Sequence, residues 1–190
     1  MALLHSVEMH AAIYALVSVV FAAQLIGASR TFRPVLGSRM GILSVPVPLA
    51  FAVILFRIRS IELNLWMAAP GCVAQVAALA LFVWAGRAVG GRYFSYIFSD
   101  DRPRFLCTEG PFAHVRNPFY TSYLLAYGSA VAMFPDAVSF VIVAGMIVYY
   151  HAAAIFEERK FLRSEFAAEY AAYMRRTGRF LPKLRRASAR

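Results

Sequence analysis

Between Gly110 and Pro118 the chain reads GPFAHVRNP. This sets an imidazole (His114), a guanidinium (Arg116) and a carboxamide (Asn117) directly before an apolar run that begins at Pro118. A later apolar run closes on two adjacent carboxylates, Glu157 and Glu158, and His151 stands seven residues before the second of them, on the same face of a helix. Cationic donors facing paired carboxylates suit a charged ligand, and an imidazole suits proton transfer.

Taken singly, each residue also has a structural reading. Arg116 fits an anchor at a membrane surface, and Glu157 and Glu158 fit a solvated helix end. His151 fits a hydrogen-bonded residue of a helix bundle. Gly110-Pro111 alone marks a turn. Gln24 and Gln75 read as interhelical hydrogen-bond partners, and Tyr123, Tyr127, Tyr149 and Tyr150 as bundle packing or an interfacial belt. Acidic residues at a helix C-terminus oppose the helix dipole, however, which calls for a cation close to Glu157-Glu158.

The elements that must position these groups are apolar. The 190 residues are 61% hydrophobic and 16% charged, against about 25% charged in soluble domains. We therefore expect an all-α membrane protein of a single domain, residues 1–190. Five runs free of Asp, Glu, Lys and Arg approach the about 20 residues needed to span a bilayer: Ala11–Ala28, Met40–Phe56, Leu63–Gly86, Pro118–Phe134 and Ala137–Phe156. Pro46, Pro48 and Pro70-Gly71 should bend the second and third. Only Pro135 and Asp136 separate the last two, which predicts a C-terminal helical hairpin with Asp136 as N-cap. That hairpin brings the start of the fourth helix beside the end of the fifth, so that Arg116, Asn117, His151, Glu157 and Glu158 are expected to line one pocket at headgroup depth.

With five spans, 18 of the 20 Lys and Arg fall on the side of the C-terminus, which the positive-inside rule makes cytoplasmic, with the N-terminus outside. The net charge of +10 thus reads as topology and not as nucleic-acid binding. The same side carries a loop, 87–117, and a tail with Leu162, Phe166, Tyr170 and Tyr173 at helical spacing. That tail is expected to form an amphipathic helix, lying at the interface or packed on the loop as a lid. Cys72 and Cys107 suggest no disulfide, and His5, His10, His114 and His151 lack metal-ligand spacing. The N-terminus lacks a basic n-region, so the first run is expected to be a retained helix.

Residues 91–182 resemble the isoprenylcysteine carboxyl methyltransferase family and its phospholipid methyltransferase relatives. The resemblance rests on GRYFS at Gly91–Ser95, LCTEGPFAHVRNPFY at Leu106–Tyr120, EER at Glu157–Arg159 and FAAEYAAYMRRTGRFLP at Phe166–Pro182. Asn117 and Phe112 depart from the signature, which there often has His and Tyr.

The resemblance implies S-adenosylmethionine as cofactor. It places Gly110, Pro111, Phe112, His114, Val115, Arg116, Tyr120, His151, Glu157 and Glu158 around that cofactor, with Arg116 and Asn117 in catalysis. Arg116 or His114 suits the cofactor carboxylate, Glu157 or Glu158 its ammonium, and Tyr93, Phe94 and Phe112 its adenine. It implies a lipophilic or prenylated acceptor entering from the bilayer and methylated on a carboxylate or phenol, with a phospholipid amine as the alternative. A carboxylate needs no base; for other acceptors His114, His151 or a tyrosinate would serve. Steroid-type reductases share this C-terminal layout but tend to carry His-Pro-Asn-Tyr followed by Gly-Glu, where this chain has NPFYTSY. A non-enzymatic membrane protein would not need the charged cluster. The preference for Arg over Lys and the richness in alanine point to a bacterial inner membrane.

Overall fold

In a computed structural model, the described residues are 2–33, 45–92, 94–95 and 102–183. They form α1 (Ala2–Thr31), β1 (Phe32–Arg33), α2 (Pro46–Ile58), α3 (Leu65–Val89), β2 (Phe94–Ser95), a 3-10 turn (Gly110–Ala113), α4 (Pro118–Met133), α5 (Ala137–Leu162) and α6 (Ala167–Arg176). Among the described residues the fold is helical apart from a two-residue parallel pairing, Phe32 with Phe94 and Arg33 with Ser95, and an isolated bridge between Val115 and Gly178.

Helices fall in all five apolar runs, and among the described residues three are long and apolar enough to cross a membrane: Val7–Thr31, Leu65–Val89 and Ala137–Leu162. The other two helices are shorter over the described residues. At 1.5 Å per residue, the 13 residues of α2 rise about 20 Å and the 16 of α4 about 24 Å, short of a ~30 Å hydrocarbon core. Residues 40–44, expected in the second run, lie outside the described residues.

Local signals set the helix ends. Asn64 caps α3 by accepting from the Trp66 amide, and Gly90 closes it in the left-handed region at φ 63°, where glycine carries no Cβ penalty. Asp136 Oδ2 accepts from Ser139 N at 3.0 Å, the expected cap of α5. The same carboxylate takes two hydrogen bonds from the Arg57 guanidinium, which clamps the end of α2 to the hairpin turn.

α4 is the central helix, in contact with α1, α2, α3 and α5. That placement explains its composition. Ser122, Tyr127 and Ser129 are buried there with their hydroxyls bonded to backbone carbonyls, and such satisfied polar groups are tolerable inside a bundle. Gln24 and Gln75 donate across helix interfaces to the carbonyls of Ser122 (3.4 Å) and Ala126 (2.9 Å), as read from the sequence. The outer faces of α3 and α5 instead expose Val73, Val76, Val141 and Val148.

The tail departs from one continuous amphipathic helix. A turn at 163–166 separates α5 from α6, and Tyr170 and Tyr173 of α6 face inward. Tyr170 stacks on Phe161 with 4.6 Å between ring centroids, so α6 lies against the body of the protein. Cys72 and Cys107 are free thiols.

Candidate active site

The segment before α4 is held from both sides. Gly110 has φ +57°, and a Cβ there would stand 3.0 Å from Ala88 Cβ and 3.2 Å from Trp84 Nε1. Its glycine therefore permits close seating on α3. On the other side the tail runs alongside. Val115 bridges to Gly178, Arg116 N donates to Gly178 O (2.8 Å), and Asn117 donates to Arg179 O through its backbone N (3.1 Å) and Nδ2 (3.2 Å). Thr121 Oγ1 donates to Phe180 O at 3.0 Å.

Under this junction lies one buried carboxylate. Glu158, 4% exposed, accepts from Arg116 Nε at 3.0 Å and from Arg179 Nε and Nη2 at 3.0 and 2.8 Å. Arg116 also donates to the carbonyl of Thr177. Two guanidiniums share one carboxylate, which supplies the charge compensation that a buried ion needs.

Beside the cluster opens a small cavity of about 100 Å³. Phe105, Leu106, Phe112, Phe161, Tyr170 and Tyr173 give it apolar walls, and Arg104, Arg116, Glu157 and Lys160 its charges. Glu157 Oε1 accepts from Tyr120 Oη at 2.6 Å. The wall provided by α6 is tied down by Tyr173 Oη, which donates to Phe112 O at 2.6 Å. Burial pushes the phenols of Tyr170 and Tyr173 well above their ordinary range, which keeps both protonated, and burial likewise raises the Cys107 thiol.

The expectation that Arg116, Asn117, His151, Glu157 and Glu158 share one pocket is corrected. Arg116, Asn117 and Glu157 line the cavity, as do Phe112 and Tyr120, but Glu158 is taken up by the two arginines. His151 lies exposed on the far side of that cluster, its Nε2 3.2 Å from Arg179 Nη1. The helix itself is the cause. Neighbours such as Glu157 and Glu158 point about 100° apart, whereas residues seven apart share a face, so His151 follows Glu158 away from the cavity. His114 is exposed too, its ring 6.1 Å from that of Trp84. Gly110, Pro111 and Val115 are not among the residues that line the cavity. Tyr93 and the side chain of Phe94 lie outside the described residues.

Sequence reasoning missed Lys160, Phe161 and Arg179. The first two were within reach, being three and four residues after Glu157 on one helical face. For Arg179 the quoted motif contained the residue but no sign of its partner.

The phospholipid methyltransferase family model matches residues 66–169, over half of the chain. The chain belongs to the phospholipid methyltransferase family. No curated protein matches it. The matched segment runs from α3 into α6 and contains the Gly110–Asn117 segment, Tyr120 and both glutamates. Membership makes the protein a membrane methyltransferase, of a family that generally uses S-adenosylmethionine. Among the relatives named from the motifs, the match falls on the phospholipid methyltransferases; the isoprenylcysteine specificity is a narrower reading. A methyltransferase family favours methyl transfer over the reductase and the non-enzymatic readings.

Proposed function

We propose that this phospholipid methyltransferase family member transfers a methyl group from S-adenosylmethionine to a lipophilic acceptor at the cytoplasmic face of the bilayer. The observation that carries this is the cavity, which combines aromatic walls with a carboxylate and cations inside the family segment.

The residues present fit the cofactor. Its ammonium matches Glu157, and its carboxylate matches the cations of Arg104 and Lys160, because Arg116 already serves Glu158. Phe112, Phe161 and Tyr170 offer faces for a base. When bound, the cofactor supplies an electrophilic methyl group on a sulfonium. The chain's own part is then orientation and exclusion of water: Tyr120 fixes Glu157, Asn117 is held by Arg179 O, and α6 covers the cavity.

For the acceptor, an apolar tail fits the aromatic and aliphatic walls, and the excess of cations over carboxylates in the lining favours an ionised carboxylate or phenolate head. It would enter from lipid at the start of α4. A second reading, a phospholipid amine, is favoured by Glu157 and its Tyr120 partner, which suit an ammonium head. The orientation that goes with this function puts the N-terminus outside and the cavity end inside, with five spanning helices, in a bacterial inner membrane. Support for the orientation comes from the sequence, in which five spans leave 18 of the 20 Lys and Arg on the side of the C-terminus.

The test is calorimetric titration of S-adenosylmethionine into detergent-solubilised protein, followed by transfer of labelled methyl into a lipid extract and mass analysis of the product. Label in an acidic or phenolic lipid supports the first reading and label in an amine the second. No cofactor binding by folded protein would overturn both.

A further inference from the structure

The tail has an inner and an outer side. Inside, Tyr170 and Tyr173 cover the cavity. Outside, Arg175, Arg176 and Lys183 are exposed, and none forms a salt bridge among the described residues. Lys183 Nζ donates to the carbonyls of Met174 (2.8 Å) and Arg175 (3.1 Å), which folds the chain back and gathers the three cations into one patch. Residues 175–190 hold seven Lys and Arg and no acidic residue.

The depth of this patch follows from His151. After α6 the chain returns along α5, where Phe180 lies 6.2 Å from the His151 ring and Arg179 bonds to it. His151 stands five residues before Phe156, where the apolar run of α5 ends, about 7.5 Å back along the helix. Leu181, 76% exposed, comes next in the chain, so an apolar side chain is presented at the edge of the hydrocarbon beside a basic cluster. Residues buried in the apolar layer next to cations at headgroup level are the pattern of surface docking on anionic lipid.

The geometry points to a docking surface, formed by Arg175, Arg176, Leu181 and Lys183, for the anionic phospholipids of the protein's own bilayer, which holds α6 closed over the cavity. The docking stands on the tail alone. Its consequence for the cofactor rests on the reading of the cavity given above.

The test uses the full chain in nanodiscs of phosphatidylcholine alone or mixed with phosphatidylglycerol, followed by hydrogen exchange of the α6 amides. Exchange is expected to slow in the anionic discs, and the slowing should vanish at high salt. Each arginine near an anionic surface strengthens docking by about fivefold, so R175Q/R176Q should lose most of the effect. R175K/R176K should keep it, since the contact is one of charge. Amides of α3, remote from the tail, report that each variant is folded. Equal α6 exchange in both lipids, or slowing that survives R175Q/R176Q, overturns the proposal. In wild type, anionic lipid should also tighten S-adenosylmethionine binding. Slowed exchange without cofactor binding in either lipid upholds the docking and overturns the cavity reading instead.

Discussion

Tyr120 donates its hydroxyl hydrogen to Glu157 Oε1 across 2.6 Å, joining the first turn of α4 to the closing turns of α5 within the cavity wall. The adjacent Glu158 points elsewhere and holds Arg116 and Arg179 together. Two neighbouring carboxylates thus take different tasks, and their substitutions should have different consequences.

Glu157→Gln is expected to weaken S-adenosylmethionine binding by roughly 10- to 150-fold, the range for a hydrogen bond to a charged group, with little change in thermal stability. Tyr120→Phe should move affinity in the same direction by less, because it removes the orienting donor and keeps the carboxylate. Calorimetry checks both. Undiminished affinity in Glu157→Gln would remove it from the cofactor site.

Glu158→Ala is expected to cost about 3 kcal/mol of stability, since it strands two guanidiniums, of which that of Arg116 is buried. Arg116→Ala should cost less, because Glu158 keeps Arg179. Thermal unfolding of detergent-solubilised variants gives the order, and a larger loss in Arg116→Ala than in Glu158→Ala would contradict the shared-carboxylate arrangement.

The clamp at the opposite end makes a pH prediction. Hydrogen bonds from Arg57 hold the Asp136 carboxyl at about 2, below its ordinary value of 3.8. A carboxyl held low contributes fully above its unfolded value, and its contribution is lost as pH falls through the folded one. Stability should therefore decline between about pH 4 and pH 2 more steeply in wild type than in Asp136→Asn. Unfolding midpoints across that range test it; parallel curves would mean that the clamp contributes nothing.

Orientation is testable by labelling. In a chain whose Cys72 and Cys107 are replaced, a cysteine at the exposed Ser60 should react with an impermeant reagent in intact cells, and one at the exposed Ala168 only after lysis. The reverse pattern would invert the proposed topology.

The sequence by itself determined what depends on short-range order. Uncharged apolar runs became helices because a helix satisfies its own backbone hydrogen bonds. Pro135-Asp136 forced a hairpin, and Asp136 capped α5 because its carboxylate reaches an amide three residues on. The sequence also placed Arg116, Asn117, Tyr120 and Glu157 near the start of α4 and the end of α5, and carried motifs that led to the methyltransferase family. Tertiary structure decided which side of each helix faces what. Glu157 and Glu158 were indistinguishable in sequence, and only the placement of α4, Arg116 and Arg179 gave one the cavity and the other an ion cluster. α4 reads as a membrane span, but its burial among four helices depends on their packing. Arg179 lies 21 residues from Glu158, beyond any local pattern, and reaches it because the tail folds back along the segment before α4. Helical periodicity sets relative directions within one helix; which direction is inward is a property of the assembled bundle.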